Sequence, residues 1–253
     1  MSLPTPTIQL FGPPSVMVNH QPITRYHSQR VAALLFYLAA TEGPQARAVL
    51  AAQLWDTADA RQAKANLSKG LYYLPHAVKP FLVVNRATVA LQAPTIAVDT
   101  RTFIHLHYNA MSPGLHPATR ITALMQAADL YRGEFLQGFC IEGADRFNAW
   151  VAAERAHYRL LAAQTHRELL AYHAGRRAHL QAIRHATALL DLDRTDEATY
   201  RQLMRLLMEL GQRDAAADVY HTCCQALQDL HGAAPSAETI ALAANFQLTP
   251  AHH

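Results

Sequence analysis

The residues with the most informative chemistry lie on one predicted helix, residues 60–74. On a helical wheel, Ala63, Leu71, Leu74 and Val78 fall within about 40° of Leu67, which predicts that this side is buried. Cationic, amide, hydroxyl and aromatic side chains lie away from that side, and such groups reach phosphate oxygens and base edges from a helix in a DNA major groove. The candidate contact residues are Arg61, Gln62, Lys64, Asn66, Ser68, Lys69, Tyr72 and Tyr73, together with Arg86 beyond the helix.

The elements before this helix are predicted from turn and capping signals. Short extended runs at residues 7–10 and 16–18 are separated by a Gly-Pro-Pro turn, which predicts small antiparallel strands. Ser28 is the predicted N-cap of a first helix, which Gly43 and Pro44 end. A second helix is predicted over residues 47–55.

A hairpin is predicted after the third helix. Residues 81–84 and 88–91 are apolar, extended runs on either side of the turn-compatible sequence Asn85-Arg86-Ala87. The order is therefore strands, three helices and a hairpin. In that order the third helix would be a recognition helix and the hairpin, residues 81–91, would be a wing beside it.

Charge is distributed unevenly along the 253 residues. Residues 1–92 carry eight basic and three acidic side chains, a net charge of +5, whereas residues 93–253 carry a net charge of −2. All three lysines lie between positions 64 and 79. A local basic excess of this kind suits a polyanionic partner, although charge alone does not separate that reading from ordinary scatter.

Only helices are predicted in the second half of the sequence. Leucine- and alanine-rich helices are predicted at residues 100–110, 118–132, 148–174, 178–190, 195–210, 213–230 and 237–246. Residues 174–183 align with residues 210–219 at an offset of 36, close to the roughly 34-residue period of tetratricopeptide helix pairs. Such pairs bury their apolar faces by stacking.

Several classes of protein are excluded or disfavoured. The longest apolar run has ten residues, whereas a membrane span needs about 20. Cys140, Cys223 and Cys224 cannot form a disulfide framework, lie in apolar context, and are interpreted as small buried hydrophobic residues. A cytoplasmic, nucleoid-associated protein that contacts no membrane is expected.

Enzymatic and metal-binding signals are missing. The sequence has no phosphate-binding glycine loop and no nucleophile-elbow motif, so we expect no enzyme activity and no cofactor. Fifteen histidines occur, but His105 and His107 would lie nearly opposite each other on a helix, and no HExxH or CxxC is present. We expect no metal site.

Longer motifs resemble those of a known family. The segments IQLFGPPSV, SQRVAALLFYLAATEGP, LAAQLW, ARQAKANLSKGLYYL and LVVNRATVALQAPTIAVDTRTF resemble the winged-helix domain of SARP-type bacterial transcriptional activators. LYRGEFLQGF, LLDLDRTDEATYRQLM and HGAAPSAET, with Trp150 and the Glu154-Arg155 pair, resemble the bacterial transcriptional activation domain of that family. We interpret LYRGEFLQGF itself as a packed helix-turn corner and not as a functional motif.

The resemblance implies a fold and a set of partners. The expected fold is mainly α: an N-terminal winged helix-turn-helix with small antiparallel strands, residues 5–97, followed by an all-α tetratricopeptide-like domain, residues 98–248. The implied function is sequence-specific binding of double-stranded DNA in transcriptional regulation, most simply activation. The helical domain would mediate self-association as a homodimer or contact RNA polymerase or another transcription protein.

Two departures from the family keep an alternative open. Pro75 disfavours helical geometry at Leu74, so the recognition helix is expected to end or kink early. The helix also has less arginine than is common in the family, with Ser68, Gly70, Tyr72 and Tyr73 instead. The alternative is a tetratricopeptide-like protein- or peptide-binding module, either alone or as the front end of a longer regulator, whose winged helix no longer reads DNA.

Overall fold

A computed structural model describes residues 6–19, 21–56, 59–92 and 96–247. The strands in these ranges are Thr7–Gln9 (β1), Ser15–Val18 (β2), Gln21–Pro22 (β3), Gln45–Ala46 (β4), Leu82–Val84 (β5), Thr88–Leu91 (β6) and Ala97–Val98 (β7). The α-helices in the same ranges are Gln29–Ala40 (α1), Arg47–Leu54 (α2), Ala60–Tyr72 (α3), Asp99–Met111 (α4), Pro117–Leu130 (α5), Asp145–Gly175 (α6), His179–Leu192 (α7), Glu197–Glu209 (α8), Arg213–His231 (α9) and Ala237–Asn245 (α10). The predicted fold class is confirmed.

Two small sheets frame the first three helices. One has the strand order β3-β2-β1-β7, with β1 antiparallel to β2 and parallel to β7. The other has the order β4-β6-β5, so the predicted hairpin gains a third strand from the residues just before α2. The hairpin starts one residue later than predicted, because residues Lys79–Phe81 form a 3₁₀ turn. The Ser28 hydroxyl accepts from the Val31 amide at 3.3 Å, which confirms the predicted N-cap of α1.

The chain divides into two compact units. The first contains residues 1–114 and 129–159, and the second contains residues 115–128 and 160–253. This division differs from the expected boundary between residues 97 and 98, because β7 pairs with β1 and α4 packs with the N-terminal strands. The expected outer limits, residues 5 and 248, lie outside the described residues, as do residues 93–95 in the family motif.

A buried carboxylate and a buried guanidinium join α4 to the N-terminal elements of the first unit. The Asp99 carboxylate accepts from the main-chain amides of Leu10, Phe11 and Thr100 at 2.8–3.0 Å. Burial raises the pKa of this carboxyl, and the three amide donors oppose that rise. Arg101 donates to the carbonyl oxygens of Leu38 and Thr41 at the end of α1, at 2.9 and 2.7 Å.

The LYRGEFLQGF segment forms a packed corner in the first unit, as its spacing predicts. The Leu136 amide donates to the Leu10 carbonyl at 2.8 Å, and Arg155 donates to the Phe135 and Leu136 carbonyls. The Phe11 ring contacts three aromatic rings at centroid distances of 4.9–5.3 Å, and these are Phe103, Tyr131 and Tyr158. The corner therefore completes a core that begins at β1.

The second unit consists of packed helices. Helix α8 packs against both α7 and α9, and their apolar faces form one core. Asp196 caps α8 by accepting from the Thr199 amide at 3.2 Å. The Glu197 carboxylate accepts from the Ser236 amide and hydroxyl and from the Thr239 hydroxyl at 2.6–2.9 Å, which ties α8 to α10. The LLDLDRTDEATYRQLM and HGAAPSAET motifs thus meet at a structural link.

The cysteines correct one expectation. Cys223 is buried, and burial raises the pKa of its thiol to about 12, so it is an unreactive thiol. Cys140 is exposed, because it lies in the irregular segment before α6 and not in a packed helix. Within the described part of the chain, no group of three or more His, Cys, Asp or Glu side chains is placed to hold a metal ion, and no helix has the length and apolarity to cross a membrane.

Replacing Asp99 by Asn should destabilise the first unit by about 1–3 kcal/mol, because the amide NH₂ would face a buried main-chain donor that loses its acceptor. Both tryptophans, Trp55 and Trp150, lie in the first unit, so urea unfolding followed by tryptophan fluorescence measures the change. Asp218→Asn makes the same chemical change on an exposed side chain of α9 and should leave the unfolding curve unchanged. Equal curves for both variants would contradict the role of Asp99.

The stability of the second unit should fall as the pH decreases below about 6.5. Burial lowers the pKa of His173, whose ring stacks on His185 and whose Nε2 has no hydrogen-bond partner among the described residues. The unfolded chain then binds more protons than the folded one as the pH falls through the ordinary histidine pKa of about 6.5, so stability rises with pH. His173→Phe should reduce this dependence in urea unfolding followed by circular dichroism, whereas the exposed His157→Gln should not.

Candidate nucleic-acid interface

Helix α3 is fixed at its start by a cap and along one side by apolar contacts. The Asp59 carboxylate accepts from the Arg61 amide at 2.8 Å, which satisfies a donor of the first helical turn. Ala63 and Leu67 are buried, and Leu74 and Val78 are buried beyond the helix, as the wheel predicts. Leu71 was also assigned to the buried face but is partly exposed, because Gly70 occupies the buried side of α3 at that turn.

The candidate contact residues lie on the exposed side of α3 and at the hairpin turn. Arg61, Gln62, Lys64, Ser68, Lys69, Tyr72, Tyr73 and Arg86 are exposed, and Asn66 is partly exposed. Residues 60–72 contain no aspartate or glutamate, so the exposed side of the helix is uniformly basic or neutral. This surface combines point charges for phosphates with amides that can hydrogen-bond base edges.

Local hydrogen bonds hold part of this surface. The Gln62 side-chain amide donates to the Asn66 side-chain oxygen at 3.1 Å, one helical turn apart. The Ser68 hydroxyl donates to the Lys64 carbonyl at 3.1 Å. These two contacts reduce the rotamer freedom that the side chains would lose on binding a ligand.

Arg47 connects α3 to the hairpin, and the sequence analysis did not select it. Its guanidinium donates to the Ser68 hydroxyl at 3.0 Å, and its main-chain amide donates to the Ala87 carbonyl at 2.8 Å. One residue at the start of α2 thus contacts both elements of the surface. The only signal in the sequence was its membership of the basic excess, because the wheel of α3 carries no information about a neighbouring helix.

The hairpin turn is ordered by Asn85. Its side-chain oxygen accepts from the Ala87 amide at 2.9 Å and from the Thr88 amide at 2.7 Å. Such a side-chain turn replaces main-chain bonds and fixes the loop without a glycine. Arg86 is therefore held at the tip between β5 and β6, with its side chain exposed.

The end of α3 is an aromatic cluster. The helix ends at Tyr72, two residues earlier than predicted, before the Leu74–Pro75 bond. Tyr73 stacks on His27 at 3.7 Å between ring centroids, and Tyr72 packs edge-on against Tyr73 at 5.2 Å. The Lys79 ammonium donates to the Tyr72 carbonyl and lies 5.1 Å from the centre of the Tyr72 ring. These contacts hold both tyrosines although they are exposed.

Gly70 is the point of closest approach between α3 and the end of α2. A Cβ atom at this position would lie 2.8 Å from Cη2 and 3.2 Å from Cζ2 of Trp55, and 3.5 Å from a methyl carbon of Leu34. The sequence analysis noted this glycine only as a departure from the family's arginine-rich helix. In the structure, the missing side chain lets α3 pack directly against the Trp55 indole.

A comparison with known protein families identifies the family of this chain. The model of the family described as "Bacterial transcriptional activator domain" matches residues 98–247, more than half of the chain. The chain belongs to this family. The resemblance to SARP-type activators is thereby confirmed.

A solved structure resembles this bacterial transcriptional activator domain protein over nearly all of its length. The structure is Mycobacterium tuberculosis EmbR in complex with a low affinity phosphopeptide, with a TM-score of 0.61 and 17% sequence identity. The match covers 99% of this chain and 67% of the EmbR chain. At this identity the likeness supports the fold alone. A search of curated proteins found no match.

Gly70→Ala should destabilise this bacterial transcriptional activator domain protein by about 1–3 kcal/mol, because the added methyl overlaps the Trp55 indole and α3 must move. Helix propensity alone predicts the opposite sign, a gain of about 1 kcal/mol. Gly175→Ala at the end of α6 meets no atom within 4 Å and should be neutral or stabilising. Urea unfolding of both variants distinguishes the two effects, and a stabilised Gly70→Ala protein would contradict the close packing of α2 and α3.

Proposed function

We propose that this protein is a sequence-specific, double-stranded DNA-binding transcriptional regulator that acts as an activator. In this proposal residues 5–97 form the winged-helix DNA-binding domain and residues 98–248 form the tetratricopeptide-like domain. Helix α3 lies in the major groove, and the hairpin of β5 and β6 is the wing beside it. The family match supports the regulatory role, and the surface of α3 supports the choice of DNA as partner.

One observation carries the proposal: the exposed side of α3 has cations and amides but no acid, and Arg47 links it to the hairpin that carries Arg86. Lys64, Lys69 and Arg86 suit phosphate contacts because each is an exposed charge on a long side chain. Arg61, Gln62 and Asn66 suit base edges, since guanidinium and amide groups bond guanine and adenine through two atoms at once.

The aromatic cluster gives the short helix a second kind of contact. Tyr72 and Tyr73 are exposed at the end of α3 and carry hydroxyl groups, at positions where the family resemblance implies more arginine. Tyrosine hydroxyls donate to phosphate oxygens, and Lys79 adds a positive charge within 5.1 Å of the Tyr72 ring. The early end of α3 at Tyr72, before Pro75, therefore changes the type of contact and leaves the surface suited to DNA.

The helical part would supply the regulatory contacts. Its packed helix pairs suit self-association as a homodimer or docking to RNA polymerase or another transcription protein. Two winged helices held together would read two adjacent half-sites. A nucleoid-associated location in the cytoplasm follows from the proposed function. The phosphopeptide in the EmbR complex is not part of this proposal.

The 253-residue chain should bind a duplex that it selects from a random-sequence pool, and the affinity should fall steeply with salt, because phosphate binding releases condensed counterions. Lys69→Ala should reduce the magnitude of the slope of log affinity against log salt by about one unit if Lys69 contacts a phosphate. Fluorescence anisotropy at several salt concentrations measures both quantities.

The matched control is Arg205→Ala, which removes an exposed cation from α8 in the second unit. Its affinity and its slope should equal those of the unchanged protein. Failure to select any duplex, or an affinity independent of salt, would refute the proposed function. An equal loss of slope in both variants would show that the charge effect is general and not local to α3.

A further inference from the structure

Arg30 makes three hydrogen bonds to main-chain carbonyls that lie far apart in the sequence. Its Nε donates to the Leu54 carbonyl at 3.1 Å. Its Nη2 donates to the carbonyls of Glu142 and Gly143 at 3.1 and 3.0 Å. Arg30 lies in the first turn of α1 and is partly buried. One guanidinium thus joins α1, the end of α2 and the segment just before α6, all within the first unit.

The three acceptors explain why this position holds an arginine. Leu54 is the last residue of α2, so its carbonyl has no acceptor role within the helix. Gly143 has a φ of +66°, a conformation that favours glycine, in the turn before α6. A planar guanidinium presents several donors in a fixed fork and can serve both sites at once, whereas a lysine ammonium is a single point.

A second link connects the same elements. The Gln53 side chain donates to the Arg146 carbonyl in the first turn of α6 at 3.0 Å, and Arg146 lies 3.4 Å from the Asp56 carboxylate. The end of α2 is therefore held by two links, one through Arg30 and one through the Gln53 side chain. Both links run to residues 142–146, which belong to the matched family domain.

The residue that follows α2 also packs against α3. Trp55 follows Leu54 directly, and its indole lies against Gly70 so closely that no side chain fits between them. A displacement of Leu54 and Trp55 therefore displaces the C-terminal part of α3, because packed interiors transmit such shifts. The path from the segment before α6 to α3 runs from Gly143 through Arg30 to Leu54, and from the neighbouring Trp55 to Gly70.

We propose that Arg30 is a positioning residue for DNA recognition: it holds α2, and through Trp55 the recognition helix α3, against residues 142–143 of the family domain. The inference rests on the proposed function. It assigns to the helical half a direct part in DNA affinity, because the segment before α6 sets the orientation in which α3 meets the groove. Arg30 itself makes its bonds to carbonyls and does not supply a phosphate contact.

The test compares Arg30→Lys with the unchanged 253-residue chain on the duplex selected above. Lysine keeps the charge but cannot bond both sites, so the affinity should fall about tenfold, the effect of one misaligned base contact. The slope of log affinity against log salt should stay the same, since no phosphate contact is removed. Amide hydrogen exchange in residues 60–72 should become faster without DNA, because α3 loses support.

Arg205→Lys on α8 is the matched control and should change neither affinity nor exchange. An Arg30→Lys protein that binds as tightly as the unchanged one overturns the inference, because charge alone would then suffice. A slope reduced by about one unit also overturns it, because Arg30 would be a phosphate contact. An unchanged protein that binds no duplex refutes the proposed function and with it this inference.

Gln53→Ala decides the question if Arg30→Lys does not fold. Gln53 is partly exposed on α2, and its removal cuts the second link without touching α1. Weaker binding at an unchanged salt slope supports positioning of α2 by the α6 segment. Unchanged affinity together with unchanged exchange in residues 60–72 overturns it.

Discussion

The bonds of the Asp99 carboxylate are the constraint on which the first unit depends. Two of its three donors, the amides of Leu10 and Phe11, lie just beyond β1, whose residues paired with β2 are Thr7, Ile8 and Gln9. A buried amide without an acceptor costs about 1–3 kcal/mol, so the N-terminal strands require a residue that is 88 or 89 positions away. Arg101 has a matching role at the end of α1, where its guanidinium donates to the carbonyls of Leu38 and Thr41.

Local signals predicted the parts of the fold that local physics controls. The N-cap at Ser28, the buried stripe through Leu67 and the hairpin around Asn85 each depend on residues within one or two turns of each other. The candidate contact residues were found for the same reason, because a helical wheel separates buried from exposed positions. Their exposure was predictable, whereas their hydrogen bonds to Arg47 and Lys79 were not.

Long-range contacts account for what the sequence did not predict. β7, Arg30 and Asp99 are all defined by partners more than 20 residues away, and no periodicity encodes such pairs. Gly70 is instructive, because the sequence analysis noted it only as a departure from the family's arginine-rich helix, while the structure shows a close approach to Trp55. Leu71 shows the opposite outcome. It was predicted to be buried, but Gly70 occupies the buried side of α3 at that turn, and Leu71 is partly exposed.

The family match and the compact units have different boundaries along the chain. The family match begins at residue 98, whereas the first unit includes residues 97–114 and 129–159 along with the N-terminal strands and helices. A chain cut after residue 97 would lose the acceptor for the amides of Leu10 and Phe11 and the donor for the carbonyls of Leu38 and Thr41. Residues 6–97 therefore do not form a closed hydrogen-bonded unit by themselves. The end of α2, whose following residue Trp55 packs against Gly70 of α3, is hydrogen-bonded through Arg30 and Gln53 to residues 142–146 of the matched domain.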